Sequence, residues 1–226
     1  MNRFIIEVKD LWKSYTKGKE IIQVLKGVDL KVKKGERILI LGPSGSGKTT
    51  LLNIIGLIDF PDKGEIYINS EKINSLSDAK ISMMRNKLIG FVFQFYNLLP
   101  ELTALENCVM PLLIRGYNFK EAEEIAKYYL ERVGLKERMN FLPKDLSGGE
   151  EQRVAIARAL CANPEIILAD EPTGNLDKEN EKKVMDIFIE LQSEKRVTLI
   201  VVSHNERLKD RFEIVYYLDN GKIKKE

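Results

Sequence analysis

Three short stretches of this chain carry residues whose types and spacing suit phosphate chemistry. The first, GPSGSGKT from Gly42 to Thr49, follows an apolar run and opens a helical pattern. Gly42, Pro43, Ser44, Gly45, Ser46 and Gly47 let successive backbone N–H groups curl around phosphates without Cβ clashes. Lys48 then reaches the β- and γ-phosphates, and Thr49 offers its hydroxyl to Mg2+. Thr50, at the start of the helix, can add a phosphate contact. A glycine-rich turn with no ligand would account for the glycines but not for Lys-Thr at their end. The second stretch, IILADE, closes a continuous apolar run with two carboxylates. Asp170 can hold Mg2+ directly or through water, and Glu171 can orient and deprotonate an attacking water. Alone the pair would suit a solvated turn; beside a phosphate loop it points to hydrolysis. A kinase would need an acceptor-hydroxyl pocket, for which the sequence has no marker.

The third stretch, LSGGEEQR, leads into the amphipathic run QRVAIARAL. Ser147, Gly148 and Gly149 therefore sit at a helix N-terminus, where free N–H groups and the helix dipole favour an anion. This second phosphate-binding layout has no lysine of its own. His204, the one histidine of the chain, ends VTLIVVSH at the sheet edge where open α/β folds gather ligands, which suits a γ-phosphate contact better than helix capping. Gln94 ends GFVFQ in the same way and can reach the metal or the water.

These groups need a scaffold, and the surrounding pattern supplies one. FIIEVKDL, QVLKGVDLKV and, after a turn at Lys34-Gly35, RILILG read as strands. A helix is predicted from Gly47 with Leu51, Leu52, Ile54, Ile55 and Ile58 as its buried stripe. FPDKG is turn chemistry, EIYIN alternates as a strand, and IGFVFQ is a short apolar strand. From about Asn97 to Leu160 helical periodicity takes over, as an insertion into the α/β core. EIILADEP and VTLIVVSH are continuous apolar runs with β-branched residues, suited to central parallel strands covered on both faces. IVYYLDNGKIKKE is a hairpin with a type I′ turn at Asn220-Gly221.

Composition narrows the class. Lys plus Arg at 36 against Asp plus Glu at 34 leaves a net charge of +2, which gives no reason to expect nucleic acid as a partner. Cys108 and Cys161 have no metal-type spacing and read as buried small apolar residues in a reducing compartment. No apolar run approaches the roughly 18–20 residues needed to cross a bilayer. The opening MNRFIIEVKD lacks a secretory h-region and cleavage site. A cytoplasmic protein is expected, with any membrane role exercised through a partner.

Taken together, these residues resemble the ATP-binding cassette (ABC) ATPases over essentially the whole chain, most closely the lipoprotein-releasing and macrolide-export type. FVFQFYNLLPELTALENCVMPL and ILADEPTGNLD carry that likeness more specifically than the phosphate loop, and LSGGE stands where the family signature is usually LSGGQ. The resemblance implies an α/β P-loop NTPase fold: a RecA-like core with an antiparallel β-subdomain and an inserted helical signature subdomain. Residues 1–226 would form one ABC ATPase domain, with 1–96 and 161–226 as core and β-subdomain and about 97–160 as the helical part. It further implies a head-to-tail homodimer holding two MgATP, in which Ser147, Gly148 and Gly149 of one copy cover the ATP held by Lys48 of the other. That accounts for the missing lysine. Tyr15 would stack on adenine, with Trp12 a packing residue; Gln94 would line the loop that senses an integral membrane permease; Asp177 would lie at the dimer contact. FYNLLPELTALEN becomes the expected permease surface, and the location is peripheral, on the cytoplasmic face of the cell membrane. A cell-division ATPase regulating a membrane partner without moving cargo is the alternative within the same family. A DNA-repair cassette would need a long coiled coil and a translation factor two sets of motifs, and neither is present. Glu150, in place of the usual glutamine, is expected to favour the helix dipole while weakening ATP-driven association modestly.

Overall fold

The alternation that starts at Phe4 runs further as a strand than its pattern predicts. In the computed structural model, which describes residues 4–226, β1 spans Ile6–Lys17 and β2 spans Glu20–Val32. They pair antiparallel from Ile6↔Val32 to Lys17↔Glu20, with a register shift beside Asp10, whose φ is 44°. β3 (Arg37–Leu41) is short and buried along its last four residues. α1 (Lys48–Ile55) turns Leu51, Leu52, Ile54 and Ile55 inward. Ile58, expected on the same stripe, is 46% exposed. The helix has already ended at the Gly56 C-cap, so its 3.6-residue period no longer governs Ile58. β4 (Lys63–Ile68) and β5 (Glu71–Lys72) complete an antiparallel sheet of order β2-β1-β4-β5. α2 (Asp78–Leu88) follows.

Two compact units share the chain. One consists of the described part of Met1–Arg85 together with Arg196–Glu226; the other is Asn86–Lys195. Within the second unit, β6 (Ile89–Val92) is followed by α3 (Ala104–Ile114), α4 (Phe119–Arg132) and α5 (Gly148–Cys161), then β7 (Ile166–Asp170) and α6 (Lys178–Lys195). α3 and α5 both begin with a capping box, Thr103 with Glu106 and Ser147 with Glu150. α5 buries Val154, Ala155, Ile156 and Ala157 in succession, so it is enclosed on every side rather than along one stripe. Cys108 of α3 and Cys161 of α5 are both buried and unbridged, and the Cys108 thiol lies 3.8 Å from Val154 O.

The chain then returns to the first unit with β8 (Thr198–Ser203), β9 (Ile214–Asp219) and β10 (Lys222–Lys225). β3 lies between β8 and β9, parallel to both, and β10 folds back on β9. Asn220 and Gly221 turn between them with φ of 48° and 77°, as a type I′ turn requires. Every residue of β8 is buried, the burial its unbroken apolar sequence implies. Each such Val, Leu or Ile stabilises the fold by about 1.5–3 kcal/mol relative to exposure. That rigidity fixes the ends of β3 and β8.

Candidate functional site

In the first unit the phosphate loop leaves the edge of this packed sheet. Leu41 of β3 pairs with Ser203 of β8, so Gly42 and His204 depart from adjacent strands on the same side. Gly45 and Gly47 hold φ of 78° and 103°, which glycine adopts without strain. Gly42 is confined by space instead: a Cβ there would meet Leu218 O at 2.1 Å and Ser46 Oγ at 2.8 Å. Pro43 and Ser44 form the outer turn of the loop, and Thr49 and Thr50 lie in the first turn of α1. Gly47, at the N-cap, offers no side chain to the first N–H groups of that helix. Lys48 is 7% exposed and donates its ammonium to Gly42 O at 2.7 Å and Pro43 O at 3.0 Å. Ser46 Oγ is buried with no hydrogen-bond partner among the described residues. A row of backbone donors, an ammonium and an orphaned hydroxyl fit the oxygens of a nucleotide's phosphates.

Tyr15 sits on β1 with its hydroxyl donating to Asp59 Oδ2 at 2.6 Å. Lys13 grips the other oxygen of Asp59 at 2.7 Å and Phe60 O at 2.7 Å, and its Nζ lies 5.1 Å from the Tyr15 ring centroid. Burial raises the Tyr15 phenol above its ordinary range, and the hydrogen bond to Asp59 adds to that. Burial acts on Asp59 in the same upward sense, but the bonds from Lys13 and Tyr15 outweigh it and hold that carboxyl low. The ring is thus pinned by its hydroxyl and still 41% exposed. Trp12 is half-buried and donates Nε1–H to Asp10 at 2.7 Å, in keeping with a packing role.

In the second unit, Val92 of β6 pairs with Ala169 of β7, so Gln94 and the Asp170-Glu171 pair leave one edge side by side. Asp170 is the last residue of β7 and half-buried. Glu171 follows with φ of 44°, a left-handed backbone that a non-glycine residue holds only under constraint from its surroundings. Gln94 Nε2 donates to Asn175 Oδ1 at 3.3 Å, and Asn175 Nδ2 returns a bond to Gln94 O at 3.0 Å. Asn175 therefore ties the glutamine to the loop after β7.

The signature opens α5. Glu150 Oε2 accepts from the Ser147 backbone N–H and from the Ser147 hydroxyl, each at 2.8 Å, while Glu150 Oε1 lies 3.2 Å from Arg138 Nε. The Ser147 N–H is the main reason the Glu150 carboxyl lies below the usual carboxylate range, so it is charged at neutral pH. A Cβ on Gly148 would meet the Tyr96 hydroxyl at 2.8 Å, and one on Gly149 would meet Asn180 Oδ1 at 3.3 Å. Asp177 accepts from the N–H groups of Glu179 and Asn180, both at 3.0 Å, and so caps α6. Sequence reasoning left out Asp59, Lys13, Asn175 and Arg138. Only the two capping boxes had a local signal, the pattern S/T-x-x-E at Thr103 and Ser147.

The ABC transporter family model matches residues 25–174. The chain belongs to that family. It is 48% identical over 223 residues to the lipoprotein-releasing system ATP-binding protein LolD of Legionella pneumophila (strain Lens), covering 99% of this chain and 98% of the relative. The LolD of Syntrophus aciditrophicus (strain SB) is 49% identical over 219 residues, covering 97% and 98%. Among solved structures, a dimeric ATP-binding cassette in a post-hydrolysis state bound to ADP and phosphate superposes with a TM-score of 0.91 at 44% identity, covering 98% of this chain and 97% of that one. As an ABC ATPase the chain has the P-loop NTPase fold and hydrolyses ATP as the cassette subunit of a transporter. Among the described residues no helix is long and apolar enough to cross a membrane.

Proposed function

We propose that two copies of this ABC ATPase close over two MgATP and use the cycle of closure and hydrolysis to drive a separate membrane-embedded permease. The observation that carries this reading is the phosphate loop, where Ser46 Oγ is buried without a partner among the described residues and Lys48 is buried against loop carbonyls. Lys48, Thr49, Thr50 and the N–H groups of the 42–47 loop bind the phosphates, and Tyr15 stacks on the base. Thr49, Asp170 and Gln94 would hold Mg2+, which supplies positive charge to the phosphate oxygens. Glu171 orients water and takes its proton; His204 donates to the γ-phosphate. Ser147, Gly148 and Gly149 cover the nucleotide of the opposite copy, and Asp177 lies at that contact. ATP drives closure because it binds the closed state more strongly than the open one.

The domain reading goes with it: 1–96 and 161–226 act as nucleotide core and β-subdomain, and about 97–160 as the signature subdomain. The loop after Gln94 receives the permease. Phe95 is 74% exposed and Leu99 45% exposed, apolar surface of the kind a docking partner covers. The protein then works on the cytoplasmic face of the cell membrane, with a permease of the lipoprotein-release or macrolide-export type. Replacing Glu171 by Gln tests the chemistry. Phosphate release should fall by about 10²–10⁴-fold, while light scattering shows a dimer that persists in MgATP. Full turnover by the variant would remove Glu171 from its role.

A further inference from the structure

Loop 94–97 and the first turn of α5 have different uses in that reading, yet two side chains, Arg158 and Tyr96, tie the loop to α5. Arg158 lies three turns along α5 from Ser147, roughly 16 Å at the rise of an α-helix. Its guanidinium donates to Asn97 O at 2.6 Å and to Tyr96 O at 2.7 Å. Those carbonyls belong to two consecutive non-glycine residues with left-handed φ, 59° at Tyr96 and 49° at Asn97. Such a pair stays in place only where neighbouring groups hold it. Both bonds end on carbonyls, which suits a planar fork better than a point charge.

The same loop meets α5 again at its other end. The Tyr96 hydroxyl stands where a Cβ of Gly148 would be, 2.8 Å away, with its ring carbon Cζ at 3.7 Å. Burial and the charge of Glu151, one turn further along α5, both push the Tyr96 phenol upward. The loop therefore touches α5 beside Ser147 through its ring and near the helix end through its backbone.

We infer that Arg158 and Tyr96 are positioning residues for the signature: Arg158 sets the loop's left-handed turn, and the Tyr96 hydroxyl, carried by that turn, fixes where Ser147 and Gly148 stand for closure over a nucleotide. This rests on the proposed role of Ser147, Gly148 and Gly149 toward the opposite copy. Neither side chain touches the reacting atoms; both act through the first turn of α5.

Hydrolysis against ATP concentration, ATP-dependent association by light scattering and thermal melting test this on the purified chain, using Tyr96→Phe, Arg158→Lys and Ser147→Ala. Tyr96→Phe should raise the ATP concentration for half-maximal hydrolysis and association by about threefold, and Arg158→Lys by about tenfold. The rate at saturating ATP should stay within about twofold in both. A defect of folding alone would instead lower the rate at every ATP concentration with the half-saturation point unmoved. Should Arg158→Lys fail to fold, Tyr96→Phe, which removes one oxygen, decides the matter. Wild-type half-saturation in Tyr96→Phe, with association lost in Ser147→Ala, overturns the positioning role alone. Undisturbed association in Ser147→Ala overturns the reading of the signature and this inference with it.

Discussion

Glu150→Gln separates two effects of one carboxylate, and the structure gives each a size. Glu150 Oε2 is 2.8 Å from the Ser147 hydroxyl oxygen and takes its only proton. A phosphate oxygen that takes this proton in place of Glu150, at about 2.7 Å from the hydroxyl oxygen, would lie roughly 5 Å from the carboxylate. Two unit charges at that distance repel by about 1 kcal/mol in water and about 3 kcal/mol at the effective dielectric of a protein surface. Arg138, 3.2 Å from the other oxygen, cancels part of this. A net of about 1 kcal/mol per site, twice in a dimer, predicts roughly thirtyfold tighter association at saturating ATP. The amide can still accept from the Ser147 N–H, so the capping box survives with a weaker bond. Fold stability should drop by about 0.5–1 kcal/mol. The assay is a protein titration at saturating MgATP followed by light scattering, repeated at high salt, where the difference between the proteins should shrink. Unchanged or weaker association by a variant that still melts cooperatively would refute the reasoning.

Two further predictions concern the same helical unit. Gly148→Ala should lower the melting temperature, because its Cβ meets the Tyr96 hydroxyl at 2.8 Å, at a cost of about 1 kcal/mol. Adding Tyr96→Phe should restore most of the loss, since the nearest ring atom is then at 3.7 Å; no recovery in thermal melts would mean the strain lies elsewhere. Acid stability should depend on the two capping boxes. Glu106 and Glu150 are both held below the ordinary value of 4.5, each chiefly by the N–H of its N-cap residue. The unfolded chain therefore binds protons at higher pH than the folded one, so their contribution is complete above about pH 4.5 and is lost as pH falls through the depressed values. The double variant Glu106→Gln, Glu150→Gln should flatten the acid side of the stability profile in denaturant titrations; an unaltered profile would contradict this.

The sequence by itself determined the parts whose physics is local. GPSGSGKT after RILIL dictates a loop of backbone donors between a strand and a helix, and β3 and α1 lie on either side of it. The apolar run at Leu199–Val202 made the centre of a buried parallel strand, and Asn-Gly made the final turn. Ile58 shows where periodicity ends, since a C-cap glycine stops the helix whatever apolar residue follows. α2 escaped sequence reading because its polar run presents little apolar stripe, with Ile81 and Leu88 its buried residues. α6 was not predicted either, although Val184, Met185, Phe188 and Leu191 give it a helical stripe.

Tertiary structure alone decided which distant residues meet. No local pattern marks Asp59 as the anchor of Tyr15, 44 positions away, or Asn175 as the partner of Gln94, 81 positions away. The same holds for Arg158, which reaches carbonyls about sixty positions back along the chain. Backbone carbonyls exist at every residue, so nothing in composition or spacing singles out the two that a guanidinium will find. Only folding brings them within 3 Å. Glu150 lies between these cases: its capping partner Ser147 is written three residues away, whereas Arg138, which balances its charge, is fixed by how the preceding segment packs.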